Sequence, residues 1–348
     1  MFCKQKTQEN RPVEESVSMN TTANVGSNFR SCRSSLISQE ALKIEHMVAF
    51  SLILVVSLVG NSLIVLIVYK KPTLRKPINM LIANMAISDL LYPIFWVPAR
   101  LAEGHAGSWL IGGTLGQALC KIHVFLSDVS SLVSIQSLVL ITVDRFVAVV
   151  VPLRSPLISG KLCLFFIVAT WIVAMAFHSP YLVAYKLGKY PERLMCKGLW
   201  QEAFGGNIYP NYILAGAIVF FYIPFVLLVI LYSDILIKLK NQVHPGEQSA
   251  NAEQHRTRRN RNVLKMAITI VVVFFICWIP LISNTIIDNF SAPDSLIFSS
   301  CSFHIYRTVT FFMAFANCAI NPIICLTLNS NYRQAFKRLV SCCAARMQ

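Results

Sequence analysis

The strongest constraint on this chain is a series of seven apolar windows, roughly residues 46–69, 78–101, 118–151, 162–183, 211–238, 262–287 and 304–327. Each is close to the ~20 residues that a helix needs to cross the hydrocarbon core of a bilayer. A helix that is apolar on every face has no place on a soluble surface. In lipid, every backbone N–H and C=O must also be satisfied within the segment, which selects helices over open strands. The expected fold class is therefore an all-α membrane protein, a bundle of seven spanning helices. Composition agrees: 55% of the 348 residues are hydrophobic and 14% charged, against about 25% charged in soluble domains.

An odd number of spans puts the two ends of the chain on opposite sides, and the connections say which. The first, third and fifth carry Lys70, Lys71, Arg75 and Lys76; Arg154 and Lys161; and Lys240, Arg256, Arg258, Arg259 and Arg261. The intervening connections mix Lys186, Lys189, Arg193 and Lys197 with Glu192 and Glu202, and the last holds Asp288 and Asp294. Basic residues gather on the cytoplasmic side, so the C-terminus is expected inside and the N-terminus outside, with the plasma membrane as the expected location. The net charge of +15 raises nucleic acid as a partner. Its concentration in short connections between spans answers that as membrane topology, so the bilayer and not nucleic acid is the expected partner.

Residues 1–43 are polar and aperiodic, with no apolar core that would make a cleaved signal, so an outer disordered tail is expected. Asn20-Thr21-Thr22 and Asn289-Phe290-Ser291 are glycosylation sequons that fall outside under this topology. Cys120 and Cys196 flank spans on that same outer side and are disulfide candidates. Residues 44–328 form the bundle and 329–348 an appendix. In the latter, apolar residues at 332, 335, 336, 339 and 340 recur at helical spacing among bases, the pattern of an amphipathic helix lying on the inner leaflet. Cys342 and Cys343 follow it as palmitoylation candidates, with free cytosolic thiols as the alternative.

Polar residues within the spans are few. Asn61, Asp89, Ser134, Asn317 and Asn321 each need a partner, and an ionised Asp89 in hydrocarbon needs a counter-charge, water or an ion. Convergence of Asp89, Ser134, Asn317 and Asn321 on one hydrated pocket would give oxygen ligands suited to a hard cation. Pro98, Pro180, Pro224, Pro280 and Pro322 punctuate the spans and allow kinks, which a two-state switch can use. Asp144-Arg145-Phe146 closes the third window; taken alone it reads equally as a snorkelling pair.

Taken in order, these features resemble the rhodopsin-like (class A) G-protein-coupled receptors over about residues 44–343. The residues carrying the resemblance are Gly60-Asn61, Ser88-Asp89-Leu90, Trp109, Cys120, Asp144-Arg145-Phe146 with Pro152-Leu153, Trp171, Cys196, Pro224 with Tyr232, Phe274, Cys277-Trp278-Ile279-Pro280 and Asn321-Pro322. The resemblance implies that Arg145 is held by Asp144 at rest and released to a heterotrimeric G protein as the sixth helix moves outward, with arrestin as a further partner. It implies a connector of Ile135, Pro224 and Phe274 above which Trp278 floors the ligand pocket, a switch that includes Tyr232, Asn321 and Pro322, and a Cys120–Cys196 disulfide. It also implies that Asp89, Ser134, Asn317 and Asn321 hold sodium as an allosteric ligand, and that Asn331-Tyr332-Arg333 begins an eighth helix. No other cofactor is expected.

Three departures from the family pattern matter. Phe146 replaces its usual tyrosine, and Cys325 stands where Asn-Pro-x-x-Tyr would end. A thiol donates only weakly and cannot replace a phenol reaching Tyr232. Arg259-Asn260-Arg261 offers no acid to lock Arg145, so the resting state is expected to rest on packing and on the Asp144–Arg145 pair.

Within the family, residues 308–328 hold no lysine for a retinal Schiff base. The amine-receptor aspartate position, seven residues after Cys120, is Ser127; Asp128 lies one step on, about 100° round the helix. A neuropeptide is the favoured ligand, with a biogenic amine or other small molecule as the alternative. The expected contacts are Ser127, Asp128, Ser131, Trp200, Tyr212, Trp278, Leu281, Thr285, Phe311 and Phe315. Rim acids Glu103, Glu192, Glu202, Asp288 and Asp294 suit a basic peptide, such as one ending in an arginine–phenylalanine amide. Cys32 and Cys301 are a candidate second disulfide. A transporter is disfavoured by the lack of paired repeats and of a charge-lined path. An enzyme is disfavoured by the lack of any nucleophile–base or metal-ligand motif.

Overall fold

A computed structural model describes residues 39–151, 159–190, 192–206, 208–241, 250–290 and 301–347. It is a helix bundle. The long helices are α1 (Gln39–Lys70), α2 (Pro77–Ala106), α3 (Gly113–Val150) and α4 (Gly160–His178). α5 runs Ile208–Ala217, passes through a π-helical turn at Ile218–Tyr222 and resumes as Ile223–Asn241. α6 (Ala250–Phe290), α7 (Cys301–Leu328) and α8 (Ser330–Met347) complete it. Seven segments are long and apolar enough to cross a membrane, from Met47–Lys70 to Ile305–Leu328.

Local chemistry sets several boundaries. Pro77 opens α2 at a position whose N–H has no intrahelical acceptor. Gly107, at φ 66°, closes it in the left-handed region that favours glycine, returning its N–H to Glu103 O. Ser159 caps α4 by accepting from Leu162 N. Pro224 cannot donate to Phe220 O and its ring crowds that carbonyl; the wide π turn just before it relieves the conflict. One boundary departs from expectation. The sixth apolar window begins at about residue 262, but α6 is already helical from Ala250, where a charged stretch extends it past that window.

α3 is the axis, packing on α2, α4, α5 and α6, while α7 returns to α1 and closes the ring. α4 and α5 are buried over only 22% and 17% of their most apolar stretches, against 61% and 56% for α2 and α3, so their outer faces are the ones left for lipid. Polar groups pin the helices where apolar packing has no direction. Asn61 donates to Ser57 O (3.0 Å) and to Cys318 O (2.8 Å), joining α1 to α7. The close approach there needs Gly60, since a Cβ at that position would lie 2.6 Å from Pro322 Cγ. Asn84 donates to Ser137 Oγ (3.0 Å) and accepts from Trp171 Nε1 (2.8 Å), tying α2, α3 and α4 at one point.

α8 does more than lie alongside the bundle. Tyr332 is fully buried and its hydroxyl reaches Asn79 Oδ1 at 3.3 Å, Ala335 is buried, and Leu339 packs on the core. Phe336 points outward. Between α4 and α5, a hairpin pairs β1 (Tyr185–Tyr190) with β2 (Arg193–Gly198), setting Leu187 opposite Cys196.

Candidate functional site

At one end of the bundle the hairpin is fastened over α3. Cys196 is bonded to Cys120, with 5.6 Å between their Cα atoms. Gln117 receives Leu187 N at 2.8 Å and donates to Tyr185 O at 3.2 Å, and Trp109 N donates to Leu194 O at 2.7 Å. The alternation of Tyr185 and Leu187, and of Leu194 and Cys196, on either side of Pro191-Glu192 in the sequence is the strand signal that a reading by spans passes over.

Under this hairpin lies a cavity of about 530 Å³. That is within the range of ligand sites, ~300–1,000 Å³. Its floor is Ile135, Phe274 and Trp278, with Trp278 stacked on Phe274 at 5.9 Å between ring centroids. Asp128, Ser131, Tyr212, Trp278, Leu281, Thr285 and Phe311 all line it. Three expected contacts do not. Ser127 is buried and turns its hydroxyl back to His123 O, satisfying itself within its own helix. Phe315 packs against Trp96 and Tyr92, at 3.8 and 4.8 Å between centroids, in a core between α1, α2 and α7. Trp200 sits behind the wall, its ring 4.8–5.3 Å from those of Tyr181, Tyr209 and Tyr212. Those last three tyrosines line the cavity; of them, sequence reading picked out only Tyr212.

The expected acidic rim is mostly neutralised. Glu103 meets Arg100 at 3.1 Å, Glu202 meets Lys186 at 3.1 Å and Asp288 meets Arg307 at 3.5 Å. Glu192 is exposed, and Asp294 lies outside the described residues.

Midway down, three of the four expected ion ligands meet directly. Asp89 accepts from Ser134 Oγ (2.8 Å) through one oxygen and from Asn321 Nδ2 (2.8 Å) through the other. Ser88, which sequence reading did not count among them, shares a 2.9 Å contact with Ser134. Asn317 and Asn321 are both buried, and their Oδ1 atoms have no hydrogen-bond partner. The donor set is thus a carboxylate, a hydroxyl and two amide oxygens, all hard oxygen, which fits a small hard cation.

At the opposite end, Asp144 is buried and takes both Nε (3.1 Å) and Nη2 of Arg145. Next to it, Thr142 donates to the Tyr232 hydroxyl at 3.0 Å, an α3–α5 link with Thr142 completely buried. Cys325 is buried in the same core as Tyr232, and its hydrogen bonding gives it no tie to that phenol among the described residues. Of the connector, Ile135 and Phe274 are buried at the cavity floor. Pro224 is half-buried and shares with Ile135 a separate apolar crevice of about 270 Å³ between α3, α4 and α5.

Asn20, Cys32, Pro152, Leu153 and Arg154 lie outside the described residues, as do the side chains of Arg259, Asn260, Arg261, Cys301, Cys342 and Cys343.

Residues 60–324 match the family described as "7 transmembrane receptor (rhodopsin family)". The chain belongs to this receptor family. Among its relatives are the RYamide receptor of Drosophila melanogaster, 30% identical over 83% of this chain and 61% of that protein, and the QRFP-like peptide receptor of Branchiostoma floridae, 27% identical over 85% and 77%. The neuropeptide Y receptor type 2 of Homo sapiens is 28% identical over 84% of this chain and 75% of that receptor. The chain thus spans less than two thirds of the RYamide receptor. As a member of this receptor family it is a multi-pass membrane protein and not an enzyme.

Proposed function

We propose that this chain is a receptor for an extracellular peptide, carrying occupancy of the hairpin-covered cavity to nucleotide exchange on a heterotrimeric G protein. The observation that carries the reading is the cavity itself: roofed by a covalently anchored hairpin, floored by Trp278 and Phe274, and large enough for the end of a peptide. The family's receptors for RYamide, QRFP-like and neuropeptide Y ligands support a peptide, and the first of those names supports an amidated one. The basic connections support an orientation with the cavity outside and Arg145 in the cytoplasm, at the plasma membrane.

In this reading, ligand pressing on Trp278 and Phe274 shifts α6 about Pro280. Arg145 then leaves Asp144 and meets the G protein, with arrestin competing for the same end. Asp89, Ser134, Asn317 and Asn321 would hold sodium, which adds the charge that balances Asp89 and favours the resting packing of α2, α3 and α7. Two amide oxygens left without partners beside a buried carboxylate support this assignment. Asn20 would carry glycan, and Cys342 and Cys343 would carry palmitate.

GTPγS binding in membranes, scanned with C-terminally amidated peptides and with biogenic amines, tests the proposal. Exchange driven by peptides is expected. A response to amines alone would favour a small-molecule receptor, the reading that Asp128 on the cavity wall keeps open.

A further inference from the structure

We infer that Asp128 is the docking point for a cationic group of the ligand, a guanidinium before an ammonium. This deepens the proposed function and rests on its cavity. The charges around the cavity do not balance. Three ionic side chains line the cavity: Arg100, Glu103 and Asp128. Arg100 and Glu103 are held to one another at 3.1 Å, and Arg100 also lies 5.0 Å over the Trp96 ring. They leave no net charge. Asp128 has no basic partner among the described residues, and the polar side chain beside it is that of Tyr181.

Neither histidine on the wall pairs with Asp128 among the described residues: His123 Nδ1 faces Cys120 O at 2.8 Å, and the His178 ring is packed against Phe177 and Tyr181. Of the rim acids first expected to meet a basic ligand, Glu103, Glu202 and Asp288 are bound to Arg100, Lys186 and Arg307, and Glu192 is exposed and does not line the cavity. The unpaired acid that does line it is deeper, on α3.

The surroundings narrow the class of cation. Tyr181, Tyr185, Tyr209 and Tyr212 line the same cavity, and the field of Asp128 reaches all four. A carboxylate beside several aromatic faces binds a cation twice over, by charge and through the rings. A planar guanidinium gains most, since it stacks on rings and offers paired N–H groups to a carboxylate. Asp128 occupies this role through helix geometry. Its neighbour Ser127 turns its hydroxyl into the helix at His123 O, while Asp128, about 100° further round, faces the cavity.

The test uses amidated peptides ending in Arg-Tyr or Arg-Phe, and counterparts with citrulline, which keeps the shape of arginine without its charge. Receptors are wild type, Asp128→Asn and Asp128→Glu, matched for surface expression. On wild type, citrulline is expected to raise the half-maximal concentration at least about tenfold, the scale of a buried charge pair. On Asp128→Asn the two peptides should be equivalent, and Asp128→Glu should recover a preference for arginine. A second arm measures the melting temperature of purified receptor with millimolar L-argininamide. Wild type should be stabilised and Asp128→Asn should not. An arginine preference that persists in Asp128→Asn overturns the inference, as does wild-type receptor that argininamide leaves unshifted. Argininamide stabilisation without activation by any peptide would instead sink the peptide-receptor reading and leave the cation site standing.

Discussion

Asp144 is buried and Arg145 is partly exposed, so the two halves of this ion pair do not answer alike to substitution. In the proposed orientation, removing the acid leaves the arginine free to turn toward the G protein. Asp144→Asn is therefore expected to raise ligand-independent GTPγS binding several-fold. Arg145→Ala should abolish exchange while radioligand affinity stays within a few-fold of wild type, because the cavity lies at the other end of α3. An unchanged basal rate in Asp144→Asn would argue that the pair is a snorkelling pair and no restraint. Thr142 and Tyr232 form the other residue-scale contact at this end, and a phenol paired with a threonine is one not yet paired across to α7. Thr142→Val should weaken the α3–α5 contact by about 0.6 kcal/mol, typical of hydrogen bonds between membrane helices, seen as a small drop in melting temperature.

Helices meet here through few groups, so each seam can be weakened separately. α1 and α7 touch where Gly60 faces Pro322, and a Cβ at 2.6 Å from Cγ has no flexible side chain to yield. Gly60→Ala should destabilise the receptor by about 1–3 kcal/mol, the usual penalty of overpacking, and Gly60→Val should fail to reach the surface. A melting temperature unchanged in Gly60→Ala would mean that α1 can move away freely. The hairpin seam is covalent. Cys120→Ser should leave the seven spans folded but free the hairpin, with loss of peptide response and retained membrane insertion by protease protection. Its remaining ties, through Gln117 and Trp109, are individually weak.

For the whole molecule, the resting state depends on whether anything from α6 restrains Arg145. The sequence supplies no acid at Arg259-Asn260-Arg261, which leaves the Asp144 pair and the packing of Phe274, Phe275 and Phe221 around α3 and α5. Adding an acid should deepen that state: Asn260→Glu is expected to lower basal exchange below wild type. A wild-type basal rate already well below that of Asn260→Glu would contradict the idea that the restraint is weak. The centre of the bundle offers a second global control. If sodium holds α2, α3 and α7 together, sodium salts should lower agonist affinity relative to potassium salts, and Asp89→Asn should remove that difference.

The seven spans, the fold class and the family are legible in the chain by itself, because a bilayer demands long apolar helices and leaves a repeated signal of about twenty residues. Asp89 and Ser134 are legible for the same reason: a polar group in hydrocarbon must have a partner. What the sequence could not determine is where each side chain on a helix points. Ser127 and Asp128 are neighbours, yet one closes on its own helix and the other faces the cavity. Phe315 and Trp200 are as aromatic as Phe311 and Tyr212, yet packing draws the first pair away from the cavity. The rim acids have their sign written in the sequence, and Arg100 with Glu103 follows from helical i,i+3 spacing, but the pairing of Glu202 with Lys186 and of Asp288 with Arg307 is set by the spatial neighbours alone. Burial in lipid acts on segments and can be read along the chain. Which residue of a segment meets which neighbour depends on the rotation and depth of each helix against the others, and only the assembled bundle decides that.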